Sequence, residues 1–249
     1  MLELTENKNS FLKKFFAVYF KVSLKRNFYR VNVKGLDILR ELKDNCSEKN
    51  IPVIVCVNHS NWWDGVLLNW ISNYLFKKDS YCLMDTVDLR KHRYFNRIGA
   101  LPLERNNKFN SYRSLKYCTE LLKNKNRYLW IFPQGEILPN EKIPFRFFNG
   151  ISFLTEKLDE FDMLCVFFEY RFTSEQRPEI FVEFFRSFHR SDLRKYSRKE
   201  LTSFLEELFS EKAVDFAERY AENELKDYEI LLQGKKSINE RKITRSFQD

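Results

Sequence analysis

The run Asn58-His59-Ser60-Asn61-Trp62-Trp63-Asp64-Gly65 holds the residue types of acid–base chemistry. Histidine is the side chain whose unperturbed pKa lies nearest neutrality, so it takes up and returns a proton under physiological conditions. An aspartate bonded to one ring nitrogen fixes the tautomer and supports positive charge on the ring, leaving the other nitrogen to take a proton from a hydroxyl. His59 and Asp64 are five positions apart in the chain. On a continuous helix that offset turns two side chains roughly 140° apart. The pair therefore meets only if His59 sits in a loop and Asp64 in the first helical turn. It is a base and an orienter without a nucleophile, because no serine stands in a nucleophile-elbow glycine pattern. Direct attack by a substrate hydroxyl is favoured over a covalent enzyme intermediate. A loop histidine bonded to a nearby aspartate for structure alone has the same spacing, and these eight residues do not separate the two readings.

The elements that must position the pair follow from the flanking patterns. Pro52-Val53-Ile54-Val55-Cys56-Val57 is an unbroken apolar run of strand length, suited to a central strand covered on both faces. Its carboxyl end is where open α/β sheets place ligands. The polar cluster at 58–61 is able to cap a helix over 62–76. Upstream, 30–34 alternates like a strand, Gly35 ends it, and 36–49 reads as a helix. Downstream, the pattern predicts a strand at 81–84, a short basic helix at 88–97 and a helix at 109–125. A strand at 128–132 is ended by Pro133, and a polar loop covers 134–149. A helix follows at 150–158, with strands at 163–168 and 179–185. From 192 to 233 the chain reads as helical, with Leu201, Phe204, Leu205, Leu208 and Phe209 as its apolar stripe. Alternation of strands and helices predicts an α/β fold, a mostly parallel central sheet flanked by helices. We expect one domain over 1–249: an amphipathic membrane-associating helix at 11–30, a catalytic core at 31–190, and a helical C-terminal segment with a basic tail at 191–249.

In that first helix Phe11, Phe15, Val18, Tyr19 and Val22 recur at helical spacing, with Lys14, Lys21 and Lys25 on the other side. A surface helix packed on its own domain and an interfacial helix entering lipid both fit. The net charge of +8 suits an anionic partner, yet no recognisable nucleic-acid motif accompanies it. No stretch reaches the roughly 18 apolar residues that span a bilayer. The five cysteines are scattered, with Cys56 and Cys165 inside apolar runs, which fits a reducing compartment. Three histidines without a Cys/His grouping predict no metal site.

His-x4-Asp after a hydrophobic strand, within Asn58–Asp64, resembles the first signature of the glycerolipid acyltransferase family, which includes the lysophosphatidic acid acyltransferases. Gly99-Ala100-Leu101-Pro102-Leu103-Glu104-Arg105 is similar to its second block. Phe132-Pro133-Gln134-Gly135-Glu136 is similar to its third, and Arg146–Gly150 to the stretch that follows. The blocks come in order over roughly 30–170. The resemblance implies transfer of an acyl group from acyl-coenzyme A or acyl carrier protein to a hydroxyl of a lipid acceptor, lysophosphatidic acid or another lysophospholipid by default. His59 would be the base and Asp64 its orienter, with no cofactor beyond the donor. Substrate contacts would come from Arg105, Gly99, Pro133, Gln134, Gly135 and Glu136, with Arg105 meeting an anionic group. The implied location is peripheral, on the cytoplasmic face of a membrane.

Departures from the pattern touch the acceptor more than the chemistry. Gln134 stands for the usual glutamate, and Glu136-Ile137-Leu138 for a hydroxyl-Arg-Ser tail. Lys142 or Arg146 is then the candidate for the missing arginine. The fourth block shrinks to Val166-Phe167-Phe168 without proline. Of the two tryptophans one belongs to the core and the other to the pocket, with Trp63 the pocket candidate. His92 and His189 match no motif and read as surface residues. The phenylalanines between 145 and 188 read as core, with an acyl-tunnel lining as the alternative. A thioesterase or lysolipid hydrolase using the same pair, and a non-catalytic peripheral membrane-binding protein, are the rival functions.

Overall fold

The computed structural model describes residues 6–123 and 125–235, apart from the side chains of 47–49. The central strand is β2 (Val53–Val57), buried along its whole length. Its alternate residues face opposite ways. Val53, Val55 and Val57 join a core cluster with residues of α1 (Ser10–Asn27), α2 (Leu36–Lys49) and α3 (Asp64–Ile71). Ile54 and Cys56 join a second cluster with α6 (Lys108–Leu122), α7 (Gly150–Lys157) and α9 (Arg198–Ala221). One strand thus feeds two cores, and the result is a sheet between two helical layers.

Among the described residues the sheet has eight strands in the order β4-β3-β5-β2-β6-β7-β1-β8. The remaining strands are β1 (Arg30–Lys34), β3 (Asp79–Asp85), β4 (Ala100–Leu103), β5 (Arg127–Ile131), β6 (Asp162–Arg171), β7 (Glu179–His189) and β8 (Glu229–Gln233). Pairings around β2, β3, β4 and β5 are parallel, as is β2–β6. The β6–β7 and β1–β8 pairings are antiparallel, while β1–β7 is parallel. The sheet is mixed, with five of its seven pairings among the described residues parallel, as expected of a mostly parallel sheet, and two antiparallel. Only 172–178 separate β6 from β7, too short a connection for a parallel crossover of a dozen or more residues.

The helical reading of 192–233 is corrected in two places. Arg190–Leu193 forms a short helix, α8, before α9, and the chain after α9 returns as edge strand β8. The expected basic helix at 88–97 is two helices, α4 (Thr86–Lys91) and α5 (Tyr94–Ile98). The helix expected over 62–76 starts at Asp64 and finishes as a π-helical turn, Ser72–Phe76. The basic tail beyond 235 lies outside the described residues.

Helix α1 packs on its own domain by a different face from the one the periodicity picks out. Ala17, Phe20 and Leu24 are buried, Phe16 stacks on Tyr94 at 4.6 Å, and Phe20 lies 6.1 Å from Phe95. The expected apolar stripe of Phe11, Phe15, Val18, Tyr19 and Val22 is exposed, each residue by more than half of its surface. Scattered exposed apolar side chains are ordinary in a soluble protein, but five along one helix form a contiguous patch.

Candidate active site

Strand β2 ends at Val57, and the next residue decides where the chain goes. Asn58 is fully buried, and its side-chain amide behaves as an extra rung of the sheet. Its Oδ1 accepts from Phe168 N at 2.7 Å, and its Nδ2 donates to Phe168 O at 2.8 Å. The same Nδ2 donates to Asn140 Oδ1, and Asn140 in turn donates to Glu169. A buried, fully bonded amide network is rigid. His59 therefore leaves the sheet from a fixed point. Its backbone N–H donates to Gln134 Oε1 at 2.6 Å and its carbonyl accepts from Leu138 N at 2.9 Å. Its ring lies 4.4 Å from that of Phe132.

The structure places His59 Nδ1 2.8 Å from Asp64 Oδ2, with His59 in the loop and Asp64 as the first residue of α3. Asp64 is wholly buried. Its Oδ2 also accepts from Ser60 N at 2.9 Å and Asn61 N at 3.0 Å, and its Oδ1 accepts from Tyr170 Oη at 2.7 Å. A carboxylate so surrounded offers only lone pairs, so the Nδ1 proton is assigned to the histidine. Nε2 is then the basic nitrogen. The capping expected of 58–61 falls one turn early: Asn61 Oδ1 accepts from Trp63 N at 3.2 Å, Trp63 itself is the N-cap of α3 without a side-chain bond, and Asp64 folds back onto the loop.

His59 lines a cavity of about 480 Å³ at the carboxyl ends of β2 to β5. It runs down one face of β3, between that strand and α3 and α5, reaching Ser72, Asn73 and Ser80. Arg105 and Glu136 lie on its wall, as do Gly99 and Gly135. Arg105 Nε donates to Asp85 at 3.0 Å, an ion pair with each side chain between a fifth and a third exposed. Among the described residues its terminal nitrogens have no protein partner, which leaves a planar fork for an anion. Gly135 has φ +71°, and a Cβ there would lie 2.8 Å from the Phe148 ring and 3.2 Å from Arg105 Nη1. Glycine at that position lets the loop turn beside the arginine without crowding it. Cys82 also lines the cavity, but burial pushes its thiol up to about 12, which denies it a thiolate's nucleophilicity.

The other candidates fall around or away from this cavity. Pro133 and Gln134 are buried behind it, Pro133 holding Phe148 N through its carbonyl at 2.8 Å and Gln134 holding His59. Trp63 faces inward, edge-on to Phe28 at 5.1 Å, while Trp62 is more than half exposed and borders the cavity, so the two tryptophans exchange roles. Lys142 and Arg146 are exposed, Arg146 reaching toward Glu206, and neither lines the cavity. The phenylalanines at 145–188 do not line it either; Phe95 and Phe132 do. His92, read as a surface residue, is half-buried and lines the cavity, as does Lys13 of α1. Tyr170 carries no sequence signal except its place at the polar end of an apolar strand. Cys56 and Cys165 are buried free thiols. Among the described residues no cluster of three or more metal-ligating side chains occurs, and no helix is long and apolar enough to cross a membrane.

A protein-family model described as Acyltransferase matches residues 30–167, more than half of the 249 residues. No curated protein matches the chain. Among solved structures, the X-ray structure of the Legionella pneumophila ATPase DotB is 12% identical, over 87% of this chain and 67% of that one, at a TM-score of 0.35. A superposition that weak carries no argument.

Proposed function

The chain belongs to the acyltransferase family, and from that premise we propose that it moves a fatty acyl group from a thioester donor to a hydroxyl of a lipid acceptor. The observation that supports this most is the His59–Asp64 contact at the edge of the cavity. In the proposed reaction His59 Nε2 takes the proton of the acceptor hydroxyl as its oxygen attacks the thioester carbonyl. The new C–O ester bond forms, the C–S bond breaks, and the imidazolium returns the proton to the departing thiolate. Asp64 holds the ring in the productive tautomer throughout. Donors are acyl-coenzyme A or acyl carrier protein, and a lysophospholipid such as lysophosphatidic acid is the default acceptor. The Arg105 fork suits its phosphate.

The exposed stripe of α1 supports a peripheral seat on a membrane. Each such side chain gains on the order of 1.5 kcal/mol or more when taken out of water. Lys14 and Lys25 are exposed on the same helix, where they would meet anionic headgroups. Lys13 brings that helix to the cavity wall, so acceptor drawn from the lipid has a short path to His59.

The test uses purified protein, labelled palmitoyl-coenzyme A or acyl carrier protein, and a total lipid extract, beside His59→Ala. Label entering a new lipid in wild type only establishes acyl transfer, and the lipid names the acceptor. Free fatty acid as the sole His59-dependent product means hydrolysis instead. A Phe15→Asp/Val18→Asp/Tyr19→Asp variant should keep activity on detergent-dispersed acceptor and lose it on vesicles. Equal activity in both would remove the membrane seat.

A further inference from the structure

Asp64 is held from two directions. Its Oδ2 is bound by its own loop, through His59 Nδ1 and the Ser60 and Asn61 amides. Its Oδ1 is bound from across the sheet, and among the described residues Tyr170 is its partner, 106 positions along the chain. We propose that Tyr170 is a positioning residue for the His59–Asp64 pair, its hydroxyl fixing the rotation of the Asp64 carboxylate and tempering the charge that Asp64 presents to the histidine. The assignment rests on the acyl-transfer reading for its kinetic consequences, but not for its geometry.

Three features make Tyr170 suited to this. First, its backbone is fixed, because two residues earlier Phe168 is locked to Asn58 by a reciprocal pair of bonds. The chain that carries the tyrosine and the chain that carries the histidine thus leave the sheet from the same rung. Second, its ring is packed 5.8 Å from that of Phe28 and against the core cluster, which limits where the hydroxyl points. Third, the hydroxyl remains a donor, since burial first, and then the Asp64 and Glu169 carboxylates, push it well above the ordinary phenol range. Without Tyr170 the Oδ1 side of a wholly buried carboxylate would be unsatisfied, and such an oxygen is costly to leave bare. The carboxylate would turn to share its remaining donors, and the ring bonded to it would turn with it. A carboxylate that gives up one donor concentrates its charge on those left, and so stabilises the imidazolium more strongly.

The charged and titratable groups around the pair come from every neighbouring element. Glu169 and Tyr170 come from β6, Lys13 from α1, Tyr81, Cys82 and Asp85 from β3, Asp88 from α4 and His92 from the turn after it, Arg105 from the turn after β4, and Glu136 from the loop after β5. Tyr170→Phe leaves all the others in place, since it deletes one oxygen and keeps the ring.

The experiment is Tyr170→Phe on the full chain. The melting temperature should stay within about 5 °C of wild type. The plateau kcat should fall roughly tenfold, as for loss of a hydrogen bond to a charged group, with KM for donor and acceptor unchanged within about twofold. The acid limb of kcat/KM should move to higher pH. In histidine-15N-labelled protein, with His59 assigned by His59→Ala, the His59 titration should move the same way. In an Asp64→Asn background Tyr170→Phe should cost little further, since its effect acts through that carboxylate. A structural tyrosine would lower the melting temperature and leave both titrations where they were, and that result overturns the assignment. Should His59→Ala retain full acyl transfer, the functional reading fails by itself, while the 15N titration of the resting protein still decides on Tyr170.

Discussion

Two histidine–aspartate contacts stand at opposite ends of the same sheet. His59 and Asp64 meet just past the carboxyl end of β2, and His189 and Asp162 face each other across the start of β6 and the end of β7. In both, Nδ1 contacts a carboxylate that is at most 3% exposed. What differs is everything around the contact. His59 borders a cavity walled by Arg105, and its aspartate gathers donors from its own loop and from β6. His189 is almost half exposed, caps the four-residue helix α8, and lies away from the cavity that His59 lines, while its aspartate accepts from the buried thiol of Cys46. A histidine bonded to a buried aspartate is therefore not by itself a site. The second ring nitrogen must face a space where a substrate fits, and the carboxylate must be held so that the ring cannot turn.

The largest expected effect separates the two pairs. His59→Ala should lower turnover by roughly 10²–10⁴-fold, the usual scale for a general base. His189→Ala should leave turnover within about twofold and cost on the order of 1 kcal/mol of stability. Asp64→Asn should approach the His59→Ala loss, because the amide can hold the wrong tautomer. Turnover and urea melts on the three variants check this. A His189 variant as inactive as the His59 variant would erase the distinction. The next effect is smaller and belongs to the cavity wall. Arg105→Ala should raise the KM for the acceptor about tenfold while kcat changes less, since the fork binds an anion and lies outside the proton path. If kcat falls and KM does not, Arg105 acts on the transition state instead.

How much of this was legible in the sequence depends on whether the signal was local. Strand β2 announces itself as an unbroken apolar run because both of its faces are covered. The meeting of His59 with Asp64 follows from helical geometry once the loop is placed. The antiparallel β6–β7 pairing was also available, since too few residues separate the strands for a crossover. Other features had no local signal. Glu229–Gln233 is a five-residue segment with a three-residue apolar run too short to tell strand from helix, and it pairs as a strand along the open edge of β1. Tyr170 reaches Asp64 only because β6 neighbours β2, and strand order is not written in any short stretch. Trp62 and Trp63 are adjacent and chemically identical, and the turn into α3 alone decides which faces the cavity. His92 was misread because α4 ends just before it, turning its ring inward onto Tyr94 and Phe95.

The smallest effect concerns what the His59 end of the sheet gives up in stability. Glu169 is buried beside Tyr170, accepting from Asn140 Nδ2 at 2.8 Å and from Tyr170 N at 3.0 Å. Burial raises its pKa above the ordinary glutamate value, against the lowering influence of Asn140 and Arg171. A carboxyl raised in the folded state holds its proton more tightly there than in the unfolded chain. Between the two pKa values the folded state binds more protons, so stability falls as pH rises through that window and stays lower at neutral pH. Glu169→Gln removes the ionisation and keeps an acceptor for Asn140 and for the Tyr170 amide. The variant should therefore be more stable than wild type at pH 7, with the advantage shrinking in acid, where the wild-type carboxyl is protonated in both states. Urea melts of both proteins at pH 7 and pH 4 measure it. A variant that is less stable than wild type at pH 7 but not at pH 4 would mean that the weak Arg171 contact, 3.5 Å from Glu169 Oε1, outweighs the cost of burying the charge. The end of the sheet that holds His59 would then be stabilised by its charges, and the two ends would differ in their cavity alone.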